Sequence, residues 1–150
     1  MKSIETAYAE IRERVGNAAR KSGRSPEDVE IMAVTKTHPV EAIRSAYDIG
    51  IRLFGENRVQ EATRKYEELP EDLTLHLVGH LQRNKAKLAV GLFDCIESID
   101  KSSTLNAVTT RLPENESIDI LVEVNTSRES SKYGVRSEEE LFSLVDEVIK

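Results

Sequence analysis

The chain holds one cysteine, Cys95. A lone cysteine rules out an internal disulfide and any CxxC metal site. Long hydrophobic runs are also missing. The longest are a few residues, far short of the roughly 20 that a membrane-spanning helix needs. The start, MKSIETAYAEIRERV, has no apolar core of the signal-peptide kind, which argues against secretion and for the cytoplasm. Positive charge is in deficit: 21 Lys and Arg stand against 27 Asp and Glu, for a formal net charge of −6. Binding along a phosphate backbone needs the opposite balance, so nucleic acid is disfavoured. No glycine-rich turn of the GxGxxG or GxxxxGK type follows any apolar run, which counts against a nucleotide-binding loop.

What is present reads as one globular domain spanning residues 1–150. Hydrophobic residues make up 39% and charged residues 32%, enough apolar content to build a core at this length. Residues 3–22 predict an amphipathic helix, with Ile4, Ala7, Tyr8, Ile11, Val15 and Ala18 at helical spacing. GRSP (23–26) then stops it, with Ser25 and Pro26 as cap and first helical position. After that a strand–helix rhythm sets in. Strands are expected over 29–34, 51–55, 73–79, 93–98 and 118–124. Helices are expected over 39–49, 57–68 and 83–90. A fourth, capped by Asp100, carries Leu105, Val108 and Leu112, and a last one opens on the capping-box sequence SEEE (137–140). Five strand-then-helix units imply a parallel sheet. The regular step suits a (β/α) barrel, of which five of eight units would be present; a doubly wound open sheet is the alternative. A five-unit barrel exposes parallel edges, so self-association, or completion by a further segment, is expected, with light scattering as the check.

Polar, function-capable residues gather after the strands, in TKTHP, GENRVQE, GHLQRNK, ESID and VNTSRESSKYG. In parallel α/β folds that edge carries the site. Lys36 ends the first strand. An amine partly withdrawn from water loses its proton more readily, as Schiff-base chemistry requires. A lysine snorkelling to solvent is the other reading, and position alone leaves both open. Asn57 can cap the second helix or bond a ligand. Glu56 can pair with a lysine or answer the helix dipole. His76 reads as an interstrand histidine, and His80 as a residue able to reach the site. The two lie four apart across a strand end, and no neighbouring cysteine or acid in the sequence completes a ligand set, so no metal is expected. Asn125, Ser127 and Lys132 read as a solvated loop, Cys95 as core, and RNKAK (83–87) as a solvated helix face able to bind an anion.

AVTKTHP, FGENRVQEA, LHLVGHLQRNK, ESID and VEVNTSRESSKYG occur in one order and spacing. Together they resemble the pyridoxal phosphate (PLP) homeostasis protein family, whose barrel is related to the N-terminal domain of alanine racemase. The resemblance covers nearly the whole chain. It implies a TIM barrel of the alanine racemase type, entered through an extra N-terminal helix. It further implies that Lys36 holds PLP as a Schiff base, with Asn57 and His80 at the cofactor pocket, and no turnover of its own. The role implied is vitamin B6 and amino-acid homeostasis, with PLP-accepting apoenzymes as partners. His38 stands where many members carry a second lysine. The family's phosphate-binding segment falls beyond residue 150, so weak PLP binding, or none, by these residues alone is expected. The alternatives are a PLP-dependent racemase or decarboxylase on the same barrel, a Schiff-base aldolase without cofactor, and an interaction module.

Overall fold

A computed structural model describes residues 2–67 and 69–149. Its elements alternate. Helix α1 (Ile4–Lys21) and a 3-10 turn (Pro26–Asp28) lead into β1 (Ala33–Val34), α2 (Val40–Asp48), β2 (Leu53–Glu56), α3 (Val59–Tyr66) and β3 (Thr74–Leu77). A 3-10 turn (Arg83–Lys85) runs into α4 (Ala86–Val90), followed by β4 (Cys95–Ile99), α5 (Ser102–Thr109), β5 (Asp119–Val122) and α6 (Glu138–Ile149). All four strand pairings are parallel, in the order β1-β2-β3-β4-β5. A doubly wound sheet reverses its strand order at a switch point, whereas a barrel adds each strand beside the last. The sequential order settles that choice for the barrel type.

The local signals explain the boundaries. Ser3 caps α1 by accepting from the Thr6 amide at 3.1 Å. Gly50, at φ 95°, supplies the left-handed residue after α2. Ser137 caps α6 through the Glu140 amide at 3.1 Å, but the Glu140 carboxylate reaches one residue too far back, to the Arg136 amide at 2.7 Å. The capping box is thus half realised.

Other expectations shift. The first strand is two residues, not six, because β1 lies at the edge of the described sheet and residues 29–32 take up no ladder with β2. Asn57 does not cap α3; Arg58 holds that position with no side-chain bond. Lys101, not Asp100, stands at the N-cap of α5, and Asp100 instead accepts from the Thr104 hydroxyl at 3.3 Å. Leu112 falls beyond the end of α5. Glu68, the expected end of the second helix, lies outside the described residues. The apolar stripe of α1 is only partly used: Ile4 and Ile11 are exposed, and the buried residues are Gly16 and Ala19. That half of the helix packs on the Pro26 turn, where a Cβ on Gly16 would lie 3.6 Å from the proline.

Strand parity divides the sheet. Phe54 pairs with Leu75, and Glu56 with Leu77, which pairs with Ile96. These side chains share the helix-facing side, are buried there, and form the core with Ile43, Ala62, Tyr66, Ala86, Ala89 and Val108. Phe54 meets Tyr66 of α3 edge to face, with ring centroids 6.4 Å apart. The opposite face carries the row Val34, Gly55, His76, Cys95 and Asp119. No described helix is long and apolar enough to cross a membrane.

Candidate functional site

The loops leaving the C-terminal ends of β1, β2, β3 and β5 lie together at one end of the sheet. β1 ends in a turn, Thr35 to His38, closed by the His38 amide donating to the Thr35 carbonyl at 3.0 Å. Lys36 is its second residue and is exposed. No hydrogen bond or ion pair to a described residue engages its amine. Thr37, the third residue, sits at φ 65°. Turns with a left-handed third residue ask for glycine or asparagine, and a β-branched residue there is strained.

The residues on both sides of Lys36 are tied to the body of the protein. Thr35 is buried and faces the helices. Its hydroxyl donates to Glu56 Oε1 at 2.7 Å and meets the Tyr66 hydroxyl at 2.8 Å. Its carbonyl accepts from Lys65 Nζ at 2.9 Å. Lys65 also donates to Glu56 Oε1 at 3.0 Å and Glu61 Oε1 at 2.6 Å. Glu61 Oε1 in turn accepts from the Thr37 amide at 2.6 Å. Glu56 is fully buried, and its second oxygen finds no partner among the described residues. So the lysine that pairs with Glu56 is Lys65.

Charge follows this geometry. Burial works against the Lys65 ammonium, but bonds to Glu61 and Glu56 outweigh it and raise its pKa above the usual lysine value. The bond from Lys65, and then the Thr37 amide, hold the Glu61 carboxyl below the usual glutamate value. A depressed carboxyl stabilises the fold above its unfolded pKa and loses that contribution as pH falls through its folded value. A raised ammonium stabilises below its unfolded pKa and loses that contribution as pH rises through its folded value. The Glu61–Lys65 pair is therefore expected to hold from below the ordinary glutamate range to above the ordinary lysine range. A pH series of amide exchange at Thr37 reads this directly; release near neutral pH would contradict it.

Asn57 and His80 do come together. Both line a cleft of about 950 Å³ with Arg58, Arg64, Lys85 and Tyr133; Lys36 is not among its lining residues. The His80 ring stacks on Tyr133 at 3.7 Å and 9°, and its Nδ1 is buried without a hydrogen-bond partner among the described residues. Tyr133 is supplied by the loop after β5, which Asn125 organises from within. Asn125 is buried, with its Nδ2 on the Glu129 carbonyl at 2.9 Å and its Oδ1 accepting from Ser127 at 3.2 Å. Asn125 and Ser127 are thus committed to each other. The loops after β2 and β3 meet at Gly79, whose carbonyl accepts from Ser98 at 2.7 Å. A Cβ on Gly79 would lie 2.3 Å from the Asn57 carbonyl oxygen. Gly79→Ala must move one loop or the other, at a cost on the order of 1–3 kcal/mol. Urea denaturation measures it, and an unchanged midpoint would show that the contact is loose.

The sheet also brings together residues that lie apart in the sequence. Cys95 and Glu97 on β4 lie beside His76 on β3, with ligand atoms all within 4.8 Å of one another. A cysteine and an acid thus stand beside His76, brought there by the register His76↔Cys95. In this state His76 Nδ1 is bonded to Glu97 Oε1 at 2.7 Å. Burial, and then the carboxylates of Glu97, Asp119 and Asp94, push the thiol up to about 11, so it stays protonated at neutral pH.

Thr35, Glu61, Lys65, Tyr66 and Tyr133 are absent from the residues singled out by sequence. Strand parity carries a signal for Thr35: like Glu56, it is a polar residue at a helix-facing position, which needs a partner when buried. Glu61 and Lys65, four apart on α3, look like an ordinary exposed pair.

Known proteins align with this arrangement. The family described as alanine racemase, N-terminal domain, matches residues 7–150. Among curated relatives, a pyridoxal phosphate homeostasis protein of Vibrio alginolyticus is 38% identical over 97% of this chain and 65% of its own length. One of Escherichia coli K12 is 37% identical over 99% of this chain and 66% of its own. The chain thus spans about two thirds of the length of these relatives. PipY of Synechococcus elongatus PCC7942, solved with PLP bound, superposes with a TM-score of 0.73 at 37% identity, over 89% of this chain and 63% of that one. Alanine racemase from E. faecalis, at 20% identity, 93% and 38% coverage and a TM-score of 0.68, shares the fold. This chain belongs to the alanine racemase N-terminal domain family and stands there with relatives named pyridoxal phosphate homeostasis protein.

Proposed function

We propose that this protein binds PLP and holds it as a Schiff base on Lys36, serving vitamin B6 and amino-acid homeostasis without turnover of its own. The observation that carries the reading is the state of Lys36. The residue is exposed at the end of β1 and its amine is unpaired among the described residues, while the residues on both sides of it are pinned. The relatives' names and the PLP-bound PipY support the choice of ligand. When bound, PLP supplies an aldehyde, which an unprotonated lysine amine captures with loss of water.

The chain's own residues divide the remaining work in this reading. Lys36 offers the amine. Asn57 and His80 flank the ring side of the pocket, with His80 steadied by its stack on Tyr133. A phosphate dianion wants backbone N–H groups at a helix start, and the loops after β1 to β4 offer no glycine-rich run of that kind. Residues 1–150 form one PLP-binding domain, the location is cytoplasmic, and the takers of released PLP are apoenzymes.

Titrating the protein with PLP tests this reading. An imine absorbance band should rise, and borohydride reduction should fix one PLP mass on the Lys36 peptide. Absence of any adduct would leave an interaction module, and a sugar or keto-acid mass would indicate an aldolase. A racemase or decarboxylase role is not favoured, since the likeness to alanine racemase, at 20% identity, carries the fold alone. Assays for amino-acid racemization and decarboxylation are expected to show no turnover.

A further inference from the structure

Thr37 keeps a backbone angle that its side chain disfavours, φ 65°. Such strain persists only where the surroundings hold it, and it clusters at functional sites. Here the holder is visible. Glu61 Oε1 accepts from the Thr37 amide at 2.6 Å and from Lys65 Nζ at 2.6 Å. Lys65 Nζ also binds the Thr35 carbonyl at 2.9 Å and buried Glu56 at 3.0 Å. The two residues flanking Lys36 are therefore held by one ion-pair network, which touches Lys36 itself nowhere.

We propose that Glu61 and Lys65, backed by Glu56, form a backbone clamp that positions Lys36 for its reaction with PLP. The inference rests on Lys36 being the reactive lysine proposed above. A pair that served only α3 would be an i,i+4 contact between exposed side chains, of small and local effect. This pair leaves the helix instead. Lys65 is largely withdrawn from water, with 11% of its side chain exposed, and both of its off-helix bonds run to strand ends. If Thr37 relaxed to a negative φ, its amide would turn away from Glu61 and the direction of the chain at Lys36 would change. Glu61 and Lys65 are positioning residues: they act through the backbone of Thr35 and Thr37.

Two variants separate the clamp from plain stability. Glu61→Ala removes the acceptor, whereas Glu61→Gln keeps an oxygen for the Thr37 amide. The first readout needs no PLP: amide exchange at Thr37 in the free protein. The second is the rate of borohydride-trapped PLP labelling of Lys36, relative to the exposed Lys101 of the same molecule. Loss of a hydrogen bond to a charged group predicts, for Glu61→Ala, Thr37 exchange faster and relative Lys36 labelling slower by about tenfold or more. Glu61→Gln is expected to recover most of both. Thr37→Pro, confined to the exposed turn, removes the amide and forbids the positive φ, and is expected to reproduce the labelling loss with α3 untouched.

A Glu61→Ala protein that labels Lys36 as fast as the parent would overturn the clamp and leave the Lys36 reading standing. Equal loss in the Ala and Gln variants would also overturn it, since the retained acceptor would then count for nothing. A parent protein whose Lys36 labels no faster than Lys101 would overturn the Lys36 reading and the clamp with it.

Discussion

Lys36→Ala is expected to abolish the PLP adduct while leaving the fold intact. The imine band should vanish, and no other lysine should replace it at comparable PLP. The argument has two halves. Chemically, only an amine can form the bond, and alanine has none. Structurally, Lys36 is exposed and engages no described partner, so its removal should shift stability by no more than about 0.5 kcal/mol. Absorbance with PLP and a thermal melt without it measure the two halves separately. An adduct that survives the substitution would move the Schiff base to another lysine. A collapsed melt would mean that Lys36 carries a structural load that its surroundings do not explain.

Lys65→Met is expected to produce the opposite pattern: a large loss of stability, with Lys36 still present. Glu56 has no exposed surface, and Lys65 is its only cationic partner among the described residues. Removing that partner leaves a carboxylate in the core with the Thr35 hydroxyl as its remaining donor. Breaking a buried pair from one side costs about 3–5 kcal/mol, well above the 0–1 kcal/mol of an exposed pair. The double variant Glu56→Gln with Lys65→Met should recover much of the loss, because the amide brings no charge to strand. Urea unfolding of the parent, the two single variants and the double variant measures the coupling. A loss under about 1 kcal/mol for Lys65→Met would place this pair with ordinary surface ion pairs.

Much of the architecture was legible in the sequence. Helices follow from the 3.6-residue period and strands from short runs of apolar and β-branched residues, and the stops at Gly23 and Gly50 follow from backbone rules that act within a few residues. The placement of polar motifs after strands also survives folding, since a chain that enters each strand from the same side must leave it at the same edge. Caps proved less legible. Asn57 and Asp100 are both good capping residues, and each lost the position to the residue that follows it. An N-cap depends on where the first helical turn settles, and packing can move that by one residue.

The site was legible only in outline. Lys36, Asn57 and His80 sit at strand ends, as their motifs imply. That Asn57 and His80 share a cleft depends on the close approach of Gly79 to Asn57, and the ring covering His80 comes from Tyr133, 53 residues further along the sequence (133 − 80). The metal-like group of His76, Cys95 and Glu97 was invisible because two strands must first adopt one register.

By itself, then, the sequence determined the order and type of the elements, the parallel sheet, and a lysine at the end of the first strand. Those properties depend on neighbours a few positions away. Tertiary structure alone decided what surrounds that lysine. The bonds flanking it join residues 21, 24 and 30 apart, between the turn after β1, the end of β2 and α3. No local pattern records such partners. Glu61 and Lys65 look alike in sequence whether α3 turns them to water or to the strand ends, and only the packing of α3 against β2, beside the turn after β1, turns them inward.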